Sequence, residues 1–166
     1  MRGSKWQLKK RDKVLSFLYK ISHFVEQEEE LSGILQGTAI ILSESWQYPK
    51  ITCVKIKLGD KEYKTDNYKE TNWSERSDLI VKGKNAGYVE VGYLEKKPDL
   101  DEGPFSREEC KFLDVVTERL GLFIERKQAQ KELQQERNYL KTIVETSPVA
   151  ITKVNKKGET VFANKE

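Results

Sequence analysis

The 166-residue sequence has little with which to build a covalent or metal-based framework. It holds two cysteines, Cys53 and Cys110, and a single histidine, His23. Two thiols are too few for a disulfide scaffold. Together with one imidazole they fall short of a four-ligand structural zinc site, so a histidine-based metalloenzyme is nearly excluded. Long apolar runs are also lacking. None approaches the roughly 20 residues that a transmembrane helix requires, and no signal-peptide core follows the N-terminus. A soluble, cytoplasmic protein without membrane insertion is therefore expected. Charge of one sign is missing too, because 30 basic residues are offset by 27 acidic ones, leaving +3. Lysine supplies 23 of the basic residues and arginine only seven. Arginine is the better fork for phosphate and base edges, and no basic block exceeds Lys9-Lys10-Arg11, so no nucleic-acid partner is expected. The interspersed Lys and Glu read as a solvated surface.

What remains is a chain of 34% charged and 37% hydrophobic residues. That supports one domain with a modest core and a tail, or one domain and a piece of another. Met1 to Ser4 reads as vector-derived sequence. From Lys5 to about Gln27, Val14, Leu18, Ile21 and Val25 recur at steps of four, three and four, with Phe17 and Phe24 beside them, as one stripe of a helix. The acidic Glu28-Glu29-Glu30 follows. Leu31 to Leu42 reads as a second helix, apolar nearly all round and hence buried, and Pro49 closes the region. The period then changes to two. Thr52 to Leu58, Glu62 to Thr65, Asp78 to Lys82 and Tyr88 to Leu94 read as four strands in two hairpins. They turn at Gly59-Asp60-Lys61 and at Gly83 to Gly87. An antiparallel sheet with one solvated face is expected. In the first strand Val54, Ile56 and Leu58 share the apolar face, so Cys53 points away from it.

Ser106 and Glu109 fit a capping box at the start of a long helix. Phe105 and Cys110 occupy its hydrophobic-staple positions, which makes Cys110 a packing residue rather than a reactive thiol. Along this helix Phe112, Val115, Arg119, Leu122, Arg126, Ala129, Leu133, Glu136, Leu140 and Ile143 alternate steps of three and four, the signature of a heptad seam. A second stripe, Leu113, Val116, Leu120 and Phe123, stops at Phe123. Two stripes imply two packing partners up to that point and one afterwards. The helix is expected to pack on its own sheet first and then to continue as a coiled-coil stalk, weakened by Arg119, Arg126 and Glu136. Thr146-Ser147-Pro148 breaks it. Val149 to Val154 and Glu159 to Ala163 then form a lone hairpin around Asn155 to Gly158.

These elements, with the strings Trp46-Gln47-Tyr48-Pro49, Ser77-Asp78-Leu79-Ile80-Val81, Gly87-Tyr88-Val89-Glu90-Val91-Gly92-Tyr93-Leu94-Glu95, Asp101-Glu102-Gly103-Pro104-Phe105 and Ile124-Glu125-Arg126-Lys127, resemble the GAF-type sensory module of prokaryotic multidomain sensor histidine kinases. The resemblance covers roughly Gln7 to Leu133. The tail Ile143 to Ile151, ending in Phe162-Ala163-Asn164, is similar to the opening of a PAS domain. The resemblance implies an α+β, GAF-like antiparallel sheet with flanking helices over residues 5–125, a signalling helix over 126–145, and a truncated PAS start over 146–166. It implies a non-catalytic sensory and dimerisation module that relays a conformational change to a downstream PAS domain and kinase. The seam of a parallel homodimer would be Leu122, Arg126, Ala129, Leu133, Leu140 and Ile143. No catalytic or metal-binding residues and no cofactor are expected. The alternative is a haem-binding or thiol-based redox sensor, for which His23, Cys53 and Cys110 are the only soft candidates. Ligand-binding GAF domains roof their cavity with a long helical segment between the middle strands. Here Asp66 to Ser77 is short, and little cavity volume is expected beneath it.

Overall fold

A computed structural model describes residues 15–25, 30–97, 104–149 and 151–164. Residues 1–4, Lys9-Lys10-Arg11, Val14, Glu28-Glu29, Pro98, Asp101-Glu102-Gly103 and Ala150 lie outside these. The chain divides into two compact units between Glu125 and Arg126.

In the first unit, helix α1 covers residues 15–25 and helix α2 Leu31–Ser45. Strands β1 (Thr52–Leu58), β2 (Lys61–Lys64), β3 (Ser74–Val81) and β4 (Lys84–Tyr93) follow, and then helix α3 (Arg107–Thr146), whose residues from Arg126 onward belong to the second unit. The four strands form one antiparallel sheet in the order β2-β1-β4-β3. The architecture is therefore mixed helix and strand, with the antiparallel sheet and long C-terminal helix that the periodicity anticipates.

Alternation decides which face of the sheet is dry. Val54 and Ile56 of β1 stand opposite Val91 and Val89 of β4, and directly paired residues share a face. These four join Leu79 of β3 in a core with Phe17 of α1, with Leu35, Ala39 and Leu42 of α2, and with Leu113, Val116, Leu120 and Ile124 of α3. All three helices thus cover the same face. Aromatic rings close one end: Tyr93 stacks on Phe105 at 4.8 Å, and Phe112 meets Trp46 at 5.8 Å and Phe17 at 5.3 Å. The capping box forms as expected. The backbone N–H of Ser106 donates to Glu109 Oε2 at 2.9 Å, and that of Glu109 donates to Ser106 Oγ at 3.3 Å. Glu109 Oε1 also accepts from the Tyr93 hydroxyl at 3.3 Å, which ties the cap to the core.

Several expectations are corrected. Helix α2 is not apolar all round in effect, because Ile40 is exposed while Ile34, Leu35, Thr38, Ala39, Leu42 and Ser43 form its buried face. In α1 the buried residue is Phe17, with Leu18 and Ile21 only partly covered. In the second hairpin each strand begins four residues before, and ends one residue before, the expected Asp78 to Lys82 and Tyr88 to Leu94. Its turn is Lys82-Gly83, where both residues have positive φ, 51° and 72°, as a two-residue hairpin turn of the primed type requires. Gly87, which reads as a turn residue, lies inside β4 opposite Leu58 and Leu79. Strand β3 begins at Ser74 because its polar residues pair outward, Arg76 directly across from Glu90. On α3 the buried stripe also takes in Thr117, Gly121 and Ile124, one residue beyond Phe123.

Helix α3 is seated at three points on β3 and the turn that follows it. Ser77 Oγ donates to Asp114 Oδ1 at 2.7 Å, and the Lys82 backbone N–H donates to Glu125 Oε1. Between them Gly121 lets the helix approach so closely that an added Cβ would collide with the Ile80 carbonyl oxygen.

In the second unit, β5 (Thr152–Val154) and β6 (Thr160–Ala163) make the expected hairpin, exposed on all sides. Asn164 binds it to the preceding chain. Its Oδ1 accepts from the Ile151 N–H at 2.7 Å, and its Nδ2 donates to the Val149 carbonyl at 3.0 Å.

Gly121→Ala separates the close-approach argument from helix propensity. Propensity alone would stabilise the helix by about 1 kcal/mol. Overpacking against fixed backbone predicts a loss of about 1–3 kcal/mol instead. A lower urea midpoint is expected, and an unchanged or raised midpoint would show that α3 does not bear on β3 here.

Candidate functional site

The site is on the sheet face that the helices leave open. Strand register aligns Lys55, Glu90 and Arg76 in one row across β1, β4 and β3. Glu90 is the centre of that row and is buried. Its Oε1 accepts from Arg76 Nη2 at 3.0 Å and from Ser74 Oγ at 3.3 Å. Its Oε2 accepts from the Tyr68 hydroxyl at 3.0 Å and lies 3.3 Å from Lys55 Nζ. The Lys55 ammonium also stands over the rings of Tyr68 and Tyr88, at 5.0 and 5.5 Å. The Arg76 guanidinium stacks on Tyr88 at 3.9 Å.

Burial alone would raise the Glu90 carboxyl, but hydrogen bonds from Arg76 and Tyr68 and the Lys55 charge outweigh it and hold it below its ordinary value. Burial likewise works against the Lys55 ammonium, yet its bonds to Tyr68 and Tyr88 and the Glu90 charge hold it above its ordinary value. Both groups are therefore ionised throughout the neutral range.

Residues 65–73 fold over this row. The Val54 N–H donates to Thr65 Oγ1 at 3.1 Å, Asn67 Nδ2 to the Thr52 carbonyl at 3.0 Å, and Thr71 Oγ1 to the Tyr93 carbonyl at 2.9 Å. Gly92 admits Thr71 against the sheet, since a Cβ there would meet the Thr71 methyl. This corrects two expectations. The second face of the sheet is not simply solvated, and the short segment does not abolish the cavity. An open cleft of about 690 Å3 lies along residues 68–74 and is lined also by Cys53, Lys55, Arg76 and Glu90. That volume is in the range of ordinary ligand sites. A short roof suffices because it lies across the strands as a hydrogen-bonded strap and needs no helix.

Of the sequence candidates, only Cys53 is brought to this cleft. Its side chain points away from the apolar face, as expected, and Sγ donates to the Lys69 carbonyl at 3.7 Å. Burial pushes its thiol up, so it is protonated at neutral pH and is a weak nucleophile and poor metal ligand. Cys110 packs against the core on the opposite face of the sheet. His23 is exposed on α1 beside Tyr19. The structure does not gather the three into one site. Among the described residues no group of three or more His, Cys, Asp or Glu side chains is placed to hold a metal ion, and no helix is long and apolar enough to cross a membrane.

Leu122 and Arg126 are exposed on α3. Ala129, Leu133, Leu140 and Ile143 are exposed as well, the last three at 49%, 54% and 46%. Lys55, Tyr68, Arg76, Tyr88 and Glu90 were not singled out as site residues from sequence. The available signal was Glu90 between two valines of an alternating strand. Comparison with protein-family models, with curated proteins and with solved structures finds no match to this chain.

Glu90→Gln tests the row. Removing the shared carboxylate leaves Lys55 buried without its counter-charge. A loss of about 2–3 kcal/mol at neutral pH is expected, below the value for a fully enclosed pair because Arg76 is half in water. A carboxyl held below its ordinary value stabilises the fold fully above the unfolded pKa of about 4.3, and that stabilisation fades as pH falls through the lower folded value. Denaturation midpoints of the two proteins should therefore converge in acid. A gap that stays constant from neutral pH to about pH 3 would contradict the assignment.

Proposed function

We propose that the chain is the sensory and dimerisation module of a cytoplasmic two-component sensor histidine kinase. On this reading it is a GAF-like domain whose exit helix relays a conformational change to a PAS domain beginning near Thr146. The chain itself performs no catalysis and requires no cofactor; the kinase is further along the parent protein.

One observation carries the reading. Strand β3 belongs to both ends of a relay. Ser74 and Arg76 reach the cleft row, while Ser77, Ile80 and Lys82 meet Asp114, Gly121 and Glu125 of α3. A stimulus that rearranges the cleft therefore shifts the strand on which the helix is seated. The helix carries its seam beyond that seat, with Leu133, Leu140 and Ile143 exposed at heptad spacing. A second copy in parallel supplies the matching stripe, and parallel pairing delivers both copies of the following domain to the same end. Arg126 and Glu136 in the seam make the association weak and its register adjustable. Helix α1 of each copy joins the same bundle.

Leu133→Glu should lower the dimer fraction in sedimentation equilibrium while the far-ultraviolet circular dichroism and melting of the sheet domain stay unchanged. Leu133 is far along α3 from the buried stripe that ends at Ile124. A monomeric unmodified chain at high concentration would overturn the dimer, and an unfolded variant would overturn the division of α3 into a packed half and a seam.

A further inference from the structure

The charge balance of the cleft is specific enough to name a ligand class. Its lining includes the cations Lys55, Lys69 and Arg76 against the carboxylates Glu70 and Glu90, so a positive charge is left over. Glu90 already accepts from Arg76, Ser74 and Tyr68 and pairs with Lys55. A carboxylate so engaged has no capacity for an incoming cation. The cations are in the opposite position. The Arg76 side chain is 51% exposed, and a guanidinium carries five N–H donors, more than the one Glu90 oxygen it meets can take. Tyr88 beneath it holds its plane in place, so the fork is pre-organised for a second oxyanion. Tyr68 and Trp73 are both in the lining, Tyr68 with Lys55 and Lys64 over its ring and Trp73 packed partly against the core.

We propose that the cleft binds a small organic oxyanion, a carboxylate or phosphate monoester, with its head on Arg76. Binding rests on the cleft alone. Its meaning as a stimulus rests on the sensory reading above, because Arg76 belongs to the strand that seats α3.

The test uses the whole chain with benzoate, phenyl phosphate and benzylammonium as probes. Calorimetric titration gives affinity, and the indole NMR signal of Trp73, assigned with Trp73→Phe, gives location. Binding of either anion, weakened by salt and accompanied by a shift of the Trp73 signal, supports the proposal, and the stronger of the two distinguishes carboxylate from phosphate. Arg76→Gln should weaken binding by about tenfold or more, with Arg76→Lys between it and the unmodified chain. Circular dichroism confirms that each variant is folded. The proposal is overturned if neither anion binds at millimolar concentration, if benzylammonium binds as well as the anions, or if folded Arg76→Gln binds undiminished. Anion binding that leaves sedimentation unchanged supports the ligand class and counts against the relay instead.

Discussion

The constraint on which the structure depends is a carboxylate placed in the middle of a buried strand. Glu90 stands between Val89 and Val91, and a charge there is tolerable only if every lone pair is met. Meeting it sets three things at once. Lys55 must stand opposite on β1 and Arg76 opposite on β3. A slip of one residue would turn Glu90 into the core and the valines out, so the ion row reinforces the register that the apolar face already selects. Tyr68 must reach the same carboxylate, which draws residues 65–73 across the sheet and creates the cleft. Strand register and cleft thus both answer to one satisfied charge.

That arrangement makes β3 a strand with two different obligations. On the cleft side its residues answer to Glu90. On the other side it bears the helix, through a side-chain hydrogen bond at Ser77, a backbone contact at Ile80 and a backbone donor at Lys82. The pairing of β3 with β4 shifts between Leu79 and Ile80. Such an irregularity increases local twist, and here it falls where Gly121 of α3 touches the strand. Interiors packed to this closeness move between discrete arrangements rather than bending smoothly. A strand edge of that kind suits transmission better than a flexible loop would.

The inner face of this molecule was legible in sequence and the outer face was not, for a definite reason. Val54 and Ile56, the capping box of Ser106 and Glu109, and the buried stripe Leu113, Val116 and Leu120 are local patterns of period two or 3.6, and the structure reproduces them. The hairpin around Asn155 is equally local. The start of β3 was missed because Ser74 to Ser77 carries no apolar signal; these residues are extended because of what Glu90 and Asp114 offer from elsewhere in the chain. Gly87 resembled a turn residue for the same reason, since its need is a close approach within the sheet and not a reversal. The cleft row needs three strands in register and a strap above them. No single stretch of sequence contains that information, although Glu90 flanked by valines already marked a charge that would require partners.

The seam and the cleft obey opposite rules, and together they define what a relay here would require. In the cleft the Glu90 carboxylate is fully answered, so the resting row is well defined. Along the second half of α3 the apolar residues Leu133, Leu140 and Ile143 are exposed and interrupted by Glu136, so any paired state gains little from each turn. A ligand can shift such an equilibrium only by its differential affinity for the two states. A few weak layers set against one charge-assisted contact in the cleft are quantities of similar size, about 1–3 kcal/mol each. Were the seam wholly apolar, its pairing would exceed anything a small ligand could contribute, and the helix would be locked. On the sensory reading, the polar residues within it would keep the two terms comparable.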